Sequence, residues 1–402
     1  MKLLRSVYHY CWSALGALWY RNPSAHIKVV GVTGTKGKST VVSLLDHIYT
    51  SAGYNTAVLS SVFVKVGNTR MPNRTGNTMP GRMYIQHFLS QAVKAGCDIA
   101  FIEVTSQGIV QHRHQFIDWD KAVLLDIHPE HIEAHGSFEK YLAAKVELFS
   151  YAATHATKPT FFVNDKDDHA NAFVNAVDGH DLILFSAEDV EERMVVPVSL
   201  EGEFNLINIA AATAIARSDG ISKNDIERAI SSFKGLVGRM EVIQDTPFLC
   251  IVDYAHTPNS LELLYSFLKG KRASEQHKLI GVVSSAGGGR DKWKRPQMGR
   301  VAATYADVVI ITNEDPYEEP PQEIMHAIKE GVDQVHKDDL MVYEIEDRTE
   351  AVNKAVAMAS PGDVVVATGK GSEEYIHQDG KKIPWSERAA FEYALQEKNR
   401  NH

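Results

Sequence analysis

Cysteine is scarce in this sequence of 402 residues, and long basic stretches are missing. Cys11, Cys97 and Cys250 lie far apart, so they supply neither a CxxC zinc pair nor the disulfide framework of a small secreted domain. Acidic residues outnumber basic ones by 51 to 42, and no basic run is dense enough to grip a nucleic-acid backbone. We therefore expect a cytoplasmic protein without a nucleic-acid partner.

The start of the chain also lacks a continuous apolar run. Lys2, Arg5 and His9 interrupt the first twenty residues, which are too few to span a bilayer. The segment continues into a predicted strand without the small-residue cleavage site of a signal peptide. We expect residues 1–26 to be an N-terminal helical extension that packs on the body of the protein. Contact of residues 1–20 with a membrane surface is the less favoured alternative.

From Ile27 onward, short β-branched runs alternate with longer amphipathic stretches, the pattern of a parallel sheet covered by helices. In the first series, strands are predicted at 29–32, 55–60, 99–104 and 122–127, with helices such as 40–52 and 83–95 between them. In the second series, strands are predicted at 248–253, 279–284, 308–312 and 364–368. The sequence thus predicts an α/β protein with a central domain, residues 27–240, and a Rossmann-like C-terminal domain, residues 241–402.

A glycine-rich loop lies where the first predicted strand meets the first predicted helix. Its sequence is Gly31-Val-Thr-Gly34-Thr-Lys-Gly37-Lys38-Ser39-Thr40. Glycines let backbone N–H groups approach phosphate oxygens at a helix start, while a lysine neutralises phosphate charge and a serine hydroxyl can bind Mg²⁺. An ordinary glycine-rich turn does not explain Lys38 and Ser39 together. The loop therefore predicts that the central domain is a P-loop ATPase domain with a mostly parallel sheet.

The loop has the Gly-Thr-x-Gly-Lys-Ser/Thr form that opens the central domain of Mur ligases and folylpolyglutamate synthetases, and further motifs follow in the Mur ligase order. They are Asn77-Thr78-Met79-Pro80, Glu103-Val-Thr-Ser106-Gln107, Glu130-His131-Ile-Glu-Ala-His-Gly136, Tyr141-Leu-Ala-Ala-Lys145, Gly202-Glu-Phe-Asn-Leu-Ile-Asn208, Gly238-Arg239-Met-Glu241, Asp253-Tyr-Ala-His256-Thr-Pro258 and Gly287-Gly-Gly-Arg290-Asp-Lys-Trp-Lys-Arg-Pro296. From Val29 onward, the chain resembles the muramyl tripeptide ligases of peptidoglycan synthesis.

The resemblance implies a role for each matching residue. Ser39 and Glu103 would hold one Mg²⁺, and His131 with a carbamylated Lys145 would hold a second, because a carbamate offers an anionic oxygen where an ammonium would repel the ion. The implied catalytic residues are Lys38, His131, Lys145 and Arg239. The implied nucleotide contacts are Gly34, Thr35, Gly37, Lys38, Ser39, Thr40, Asn208, Arg239, His256, Asp347 and Arg348. The implied substrate contacts are Thr78, Ser106, Arg113, Arg290, Asp315, Tyr317, Gly371 and Glu373.

Three departures from the family pattern concern the substrates. Only residues 1–26 precede the first strand, so we expect the N-terminal uridine-binding domain of the family to be missing. Tyr317 stands where the family has an arginine that recognises diaminopimelate, and Ser372 and Gln107 each replace a histidine. Diaminopimelate is therefore disfavoured as the incoming amino acid. The acidic loop 313–319 suggests a basic amino acid instead, although its carboxylates are equally consistent with ordinary solvated residues near a helix start.

The resemblance implies an ATP-dependent ligase that uses two Mg²⁺ ions and joins an amino acid to a muramyl-peptide-like carboxylate through an acyl phosphate. Two alternatives remain open. One is a poly-γ-glutamate or folylpolyglutamate type of ligase, which uses the same chemistry. The other is a nucleotide-binding partner subunit without ligase activity, although the joint presence of Lys38, Glu103, His131 and Lys145 argues against it.

Overall fold

The computed structural model describes residues 2–81, 83–130, 135–191, 194–289 and 292–400. The chain forms two compact units, Met1–Lys234 and Gly235–His402. The sequence pattern instead placed the boundary between residues 240 and 241 and set residues 1–26 apart. In the structure, residues 1–26 belong to the first unit, and the Gly238–Glu241 motif belongs to the second.

The first unit alternates strands and helices along the chain. Its described strands are β1 (Lys28–Thr33), β2 (Thr56–Leu59), β3 (Phe63–Val66), β4 (Thr69–Pro72), β5 (Ile99–Glu103), β6 (Lys121–Leu124), β7 (Thr160–Asn164) and β8 (Asp181–Phe185). Its described helices are α1 (Lys2–Trp19), α2 (Lys38–Ser51), α3 (Tyr84–Lys94), α4 (Ser106–Val110), α5 (Phe138–His155), α6 (Ala170–Ala176), α7 (Glu203–Ser218) and α8 (Lys223–Ser231).

These strands form one sheet in the order β4-β3-β2-β5-β1-β6-β7-β8. It is parallel from β2 to β8, and the β3–β4 hairpin at one edge is antiparallel, as is the pairing of β3 with β2. β5 and β6 are buried at every residue, as expected for strands covered by helices on both faces. In such a sheet the carboxyl ends of neighbouring strands meet at one edge, where ligands bind. The loops after β1, β2, β5 and β6 therefore lie close together.

The second unit contains a six-stranded sheet in the order β13-β12-β11-β14-β10-β9, in which β9 pairs antiparallel with β10 and the other pairs are parallel. A separate antiparallel pair, β15–β16, follows it. The strands are β9 (Glu241–Gln244), β10 (Leu249–Asp253), β11 (Leu279–Val283), β12 (Val308–Ile311), β13 (Met341–Glu344), β14 (Val364–Thr368), β15 (Tyr375–Gln378) and β16 (Lys381–Pro384). The helices are α9 (Pro258–Lys269), α10 (Lys294–Tyr305), α11 (Pro321–Val332), α12 (Arg348–Met358) and α13 (Glu387–Arg400).

The structure confirms the predicted fold class. All eight predicted strands occur, four in each main sheet, and the predicted helices 40–52 and 83–95 correspond to α2 and α3. The sequence pattern did not identify the β3–β4 and β15–β16 hairpins. Their strands have four residues each and are mostly half-buried or exposed, so they carry little hydrophobic periodicity.

Helix α1 packs on the first unit, as the sequence predicted for residues 1–26. The Ser6 Oγ atom lies 2.7 Å from His112 Nε2, and the Tyr10 ring meets the Phe116 ring edge-on at 5.2 Å. Near the other end of the helix, Ala17 is buried. Within the part of the chain described by the structure, every helix is too short or too polar to cross a bilayer.

Candidate active site

The glycine-rich loop joins β1 to α2 as predicted. Gly37 precedes α2 with φ +79°, and a Cβ atom there would lie 2.1 Å from Asn208 Oδ1, so only glycine fits. Because glycine has no side chain to cap the helix, the first N–H groups of α2 remain for an anion. The Lys38 Nζ atom donates to the carbonyl oxygens of Gly34 and Thr35 at 2.7 and 2.9 Å. The loop thus combines a helix N-terminus with an ammonium group.

Asn208 was predicted to contact the nucleotide, and the structure places it against the phosphate loop. It is buried on α7, and its Nδ2 atom donates to Asn205 Oδ1 at 2.9 Å. Its close approach to Gly37 links α7 directly to the start of α2. From this position Asn208 holds the loop in its shape, in addition to any contact that it makes with a nucleotide.

Ser39 and Glu103, the two predicted ligands of the first Mg²⁺, are joined through Ser61. The Oγ atoms of Ser39 and Ser61 are 2.9 Å apart, and the Ser61 N–H donates to Glu103 Oε1 at 2.8 Å. Glu103 is only 1% exposed, so it is not the solvated residue usual at the end of a strand. Sequence reasoning missed Ser61, although its place just after β2 is the kind of position that contributes to a ligand site.

Lys145 is buried directly beneath the phosphate loop. Its Nζ atom donates to the Gly34 carbonyl oxygen at 2.6 Å and lies 5.1 Å from the centre of the Tyr141 ring. Burial, followed by the nearby ammonium of Lys38, holds the pKa of Lys145 well below its usual range. The side chain is therefore not the solvated lysine that a helix position normally suggests. Its predicted partner in the second Mg²⁺ site, His131, lies outside the described residues.

Asp126 is a further residue of this site that the sequence did not single out. It follows β6, and its Oδ1 atom accepts a 2.9 Å hydrogen bond from the Lys36 N–H in the phosphate loop. Burial raises the pKa of its carboxyl group, and the Lys36 N–H and the Lys38 ammonium oppose that shift. The carboxyl group therefore shapes the loop and offsets the charge of its lysines. Within the described ranges, no three His, Cys, Asp or Glu side chains are grouped closely enough to form a metal site by themselves.

Three predicted substrate contacts of the first unit lie in two adjoining turns. Met79, next to the half-buried Thr78, accepts a 3.2 Å hydrogen bond from the Thr105 N–H through its sulfur atom. Arg113 donates to the carbonyl oxygen of Met79. Ser106 Oγ lies 3.0 Å from His135 Nε2. Thr78, Ser106 and Arg113 therefore lie in one region at the carboxyl end of β5, beside the Glu103 end of the phosphate site.

In the second unit, the Gly238–Glu241 motif and the loop after β14 lie against each other. A Cβ atom on Gly238 would be 2.1 Å from the Ser372 nitrogen, so the two backbones touch. The Arg239 guanidinium lies over the Tyr254 ring at 4.0 Å, and the centroids of the His256 and Tyr254 rings are 4.6 Å apart. The structure thus brings the predicted nucleotide contacts Arg239 and His256 together around Tyr254.

The predicted substrate residues Asp315 and Glu373 share one buried lysine. Lys370 Nζ donates to Asp315 Oδ1 at 2.8 Å and to Glu373 Oε2 at 2.6 Å. Burial lowers the pKa of Lys370, but Glu373 and Asp315 outweigh it, so the net shift is upward and the lysine stays charged. Glu373 also accepts from the Tyr254 hydroxyl at 3.3 Å. Gly371 lies between these partners with φ +51°.

Arg348 needs a correction, because its guanidinium has structural partners, whereas the exposed Asp347 stays a predicted nucleotide contact. Asp347 caps α12 by accepting from the Glu350 N–H at 3.0 Å. Arg348 is 3% exposed, and its guanidinium donates five hydrogen bonds, two of them to Glu387. Since a guanidinium has five N–H donors, none remains for a ligand. The structure assigns Arg348 to the core of the second unit instead of a nucleotide contact.

The acidic loop 313–319 is also not the open carboxylate cluster that the sequence suggested. Glu314 is buried and accepts from Ser284 Oγ at 2.8 Å, and Asp315 pairs with Lys370. Glu319 pairs with Lys292 and Arg295 at 3.1 and 3.0 Å. Of the four acidic residues only Glu318 is exposed. These carboxylates therefore hold the loop in place and give little support to a preference for a basic amino acid.

Tyr317 occupies the centre of this loop. Its backbone has φ +55°, and its ring stacks on the His377 ring with centroids 5.3 Å apart. The Tyr317 N–H also donates to the His377 carbonyl oxygen at 2.9 Å. The position where the family has an arginine thus carries a fixed aromatic ring. Arg290, the other predicted substrate residue of this region, lies outside the described residues.

The fold and the loop define a nucleotide-binding α/β protein with a phosphate loop and a second, Rossmann-like unit. The Mur ligase middle domain matches residues 32–194, and the Mur ligase glutamate ligase domain matches residues 238–371. The chain is 32% identical to the UDP-N-acetylmuramoyl-L-alanyl-D-glutamate–2,6-diaminopimelate ligase of Halalkalibacterium halodurans, over 94% of this chain and 80% of that protein.

Two further relatives point to the same family. The UDP-N-acetylmuramyl-tripeptide synthetase of Deinococcus radiodurans is 33% identical over 94% of this chain and 80% of its own length. A solved structure of a UDP-N-acetylmuramoyl-L-alanyl-D-glutamate–2,6-diaminopimelate ligase is 28% identical, with a TM-score of 0.64 over 94% of this chain and 79% of that one. The chain belongs to the Mur ligase family. It is an ATP-dependent ligase that forms an amide bond with an amino acid.

Proposed function

We propose that this enzyme adds an amino acid other than diaminopimelate to a muramyl-peptide-like carboxylate in the cytoplasm. The observation that carries the proposal is the cluster of Lys38, Ser39, Glu103 and Lys145 around one phosphate loop. The cluster occurs in a chain that aligns with muramyl tripeptide synthetases over 94% of its length. The cytoplasm supplies ATP, and its reducing conditions suit the three unpaired cysteines.

In the proposed reaction, an oxygen of the acceptor carboxylate attacks the γ-phosphorus of ATP, and the bond to the β-phosphate oxygen breaks. ADP leaves, and an acyl phosphate is formed. The amine of the amino acid then attacks the acyl carbon, the nitrogen loses a proton, and inorganic phosphate leaves. The Lys38 ammonium and the N–H groups at the start of α2 would offset negative charge while the phosphoryl group moves.

Ser39 and Glu103 would hold one Mg²⁺, and His131 with a carbamylated Lys145 would hold the second. The oxygen donors of this set suit the ion, because hydroxyl, carboxylate and carbamate oxygens are hard ligands and Mg²⁺ usually keeps several waters. When bound, the metal would neutralise phosphate charge. A lysine with a lowered pKa also supports carbamylation, since the neutral amine is the form that attacks CO₂ and then loses a proton.

The stacked Tyr317 and His377 rings support the exclusion of diaminopimelate. A guanidinium can bind a distal carboxylate through two parallel hydrogen bonds, whereas a phenol offers one donor. The carboxylates of loop 313–319 are mostly used internally, so the proposal does not specify a basic amino acid.

A screen of ADP release tests the proposal. Each amino acid would be supplied with muramyl dipeptide acceptors that carry UDP, a lipid carrier or neither, and products would be identified by mass spectrometry. We expect ADP release that requires both an acceptor and an amino acid, with little activity on diaminopimelate. Equal activity with folate or glutamyl acceptors, or a preference for diaminopimelate, would overturn the proposal.

A further inference from the structure

Helix α1 presents an apolar stripe to the solvent. Leu18 and Trp19 are 75% and 76% exposed, and Val7, Tyr8 and Leu15 are 44% to 53% exposed. Val7, Leu15 and Leu18 follow helical spacings of eight and three residues, and Tyr8 and Trp19 are eleven residues apart. These spacings place all five side chains on one side of the helix. These five residues are called the α1 stripe.

The α1 stripe is exposed because the opposite side of the helix is already in use. Ser6 and Tyr10 contact His112 and Phe116. Gly16 fits closely against the neighbouring helix, since a Cβ atom there would lie 3.1 Å from the Met83 Cβ atom. The helix is therefore held on the first unit with one face committed to the core and its apolar face outward.

The charge of the α1 sequence differs from that of the whole protein. The chain has a net charge of −9, yet no aspartate or glutamate precedes Asp46 in the sequence. Lys2 and Arg5 lie in α1, and Arg21, which is exposed, follows it. A helix that has an apolar face with Trp and Tyr, and whose own sequence contains cations and no acidic residue, matches the interfacial region of an anionic bilayer.

We propose that the α1 stripe docks this enzyme on an anionic lipid surface. Leu18 and Trp19 would enter the headgroup and acyl boundary, and the exposed Arg21 would meet lipid phosphates. A second copy of the chain fits less well, because five such side chains cover roughly 600 Å², less than the about 800 Å² per partner of a stable protein interface. The proposal does not depend on the identity of the acceptor, since the α1 stripe is separate from the phosphate loop.

Vesicle flotation with the full chain tests whether the α1 stripe binds an anionic lipid surface. The probes are phosphatidylcholine vesicles with and without phosphatidylglycerol. We expect binding to the anionic vesicles only, with a partition coefficient at least about tenfold lower for the double variant Leu18→Gln, Trp19→Gln. Arg21→Glu should lower the partition coefficient about fivefold for each unit of charge lost. Leu184→Gln, which changes a 51% exposed leucine elsewhere in the first unit, is the matched control and should bind like wild type.

Melting temperature and ADP release would show that each variant is folded, since α1 contributes no residue to the phosphate loop. Equal binding of wild type and the double variant would overturn the proposal, as would equal binding to neutral vesicles. A wild-type dimer that the double variant breaks, without vesicle binding, would assign the α1 stripe to a second copy and also overturn it.

Discussion

Replacing Lys145 with methionine should lower activity strongly without lowering stability. Methionine keeps most of the side-chain volume and removes the amine, whereas alanine would leave a cavity that costs about 2–3 kcal/mol. The buried amine has a lowered pKa, so below the usual lysine value the unfolded chain binds more protons than the folded one. The uptake of a proton on unfolding destabilises wild type at neutral pH. This destabilisation disappears only as the pH rises toward the usual pKa of lysine. The metal-free Lys145→Met variant should therefore melt no lower than wild type.

The expected loss of activity is much larger. If the carbamate of Lys145 completes the second Mg²⁺ site, its removal should lower kcat by about 10² to 10³, the usual effect of losing one preorganised group at a transition state. The assay is ADP release at saturating ATP and Mg²⁺. Lys140→Ala is the control, since Lys140 is an exposed lysine of the same helix and should not matter.

Two observations separate this mechanism from a merely structural role. Wild type incubated with ¹³C-bicarbonate should give a carbamate signal in the ¹³C NMR spectrum that is missing in Lys145→Met. Lys145→Ala should regain part of its activity with formate or acetate, which can occupy the cavity as an anionic oxygen donor. Full activity of Lys145→Met, or a carbamate signal that persists in it, would refute the reasoning.

Three other predictions concern single residues. Lys38→Ala should lose ATP turnover by at least about 10²-fold yet keep its melting temperature, because Nζ donates to carbonyl oxygens of the loop itself; an active variant would refute the phosphate-loop assignment. Burial lowers the pKa of His114 to about 3, so the unfolded chain gains protons below pH 6.5, and the free energy of unfolding should fall by about 2 kcal/mol between pH 7 and pH 5 because of this residue. Urea titrations should show that slope reduced in His114→Phe but not in the exposed control His326→Phe. Tyr317→Arg should raise kcat/KM for diaminopimelate relative to other amino acids by about tenfold or more, and an unchanged ratio would remove Tyr317 from amino-acid selection.

The sequence predicted the sheets well because parallel strands covered by helices are hydrophobic throughout. β5 and β14, for example, are buried at every residue, and their boundaries matched within a residue. The phosphate loop was equally readable, since its glycines, Lys38 and Ser39 are contiguous. The sequence did not identify the residues that tertiary packing brings to the site. Ser61 and Asp126 reach the loop only because β2 and β6 end at the same sheet edge as β1.

Burial and long-range pairing explain what the sequence could not show about the candidate site. Asp315 looks like an available carboxylate in the sequence, but its partner Lys370 is 55 residues away. In the sequence Arg348 looks like a ligand-binding arginine. In the structure it donates to Glu387 of α13, which lies 39 residues further along the chain. By itself Lys145 suggests a surface lysine, and only the order of the family motifs identified it. Local patterns show which groups are charged, but not which partners neutralise them.

The most direct test of the central claim is an isotope experiment on the acceptor. A muramyl peptide labelled with ¹⁸O in its reacting carboxylate would be incubated with ATP, Mg²⁺ and the amino acid selected by the screen. Because an acyl phosphate transfers one carboxylate oxygen to phosphorus, the inorganic phosphate should carry one ¹⁸O atom for each amide bond formed. Amide formation with unlabelled phosphate, or ADP release without any amide product, would contradict the account.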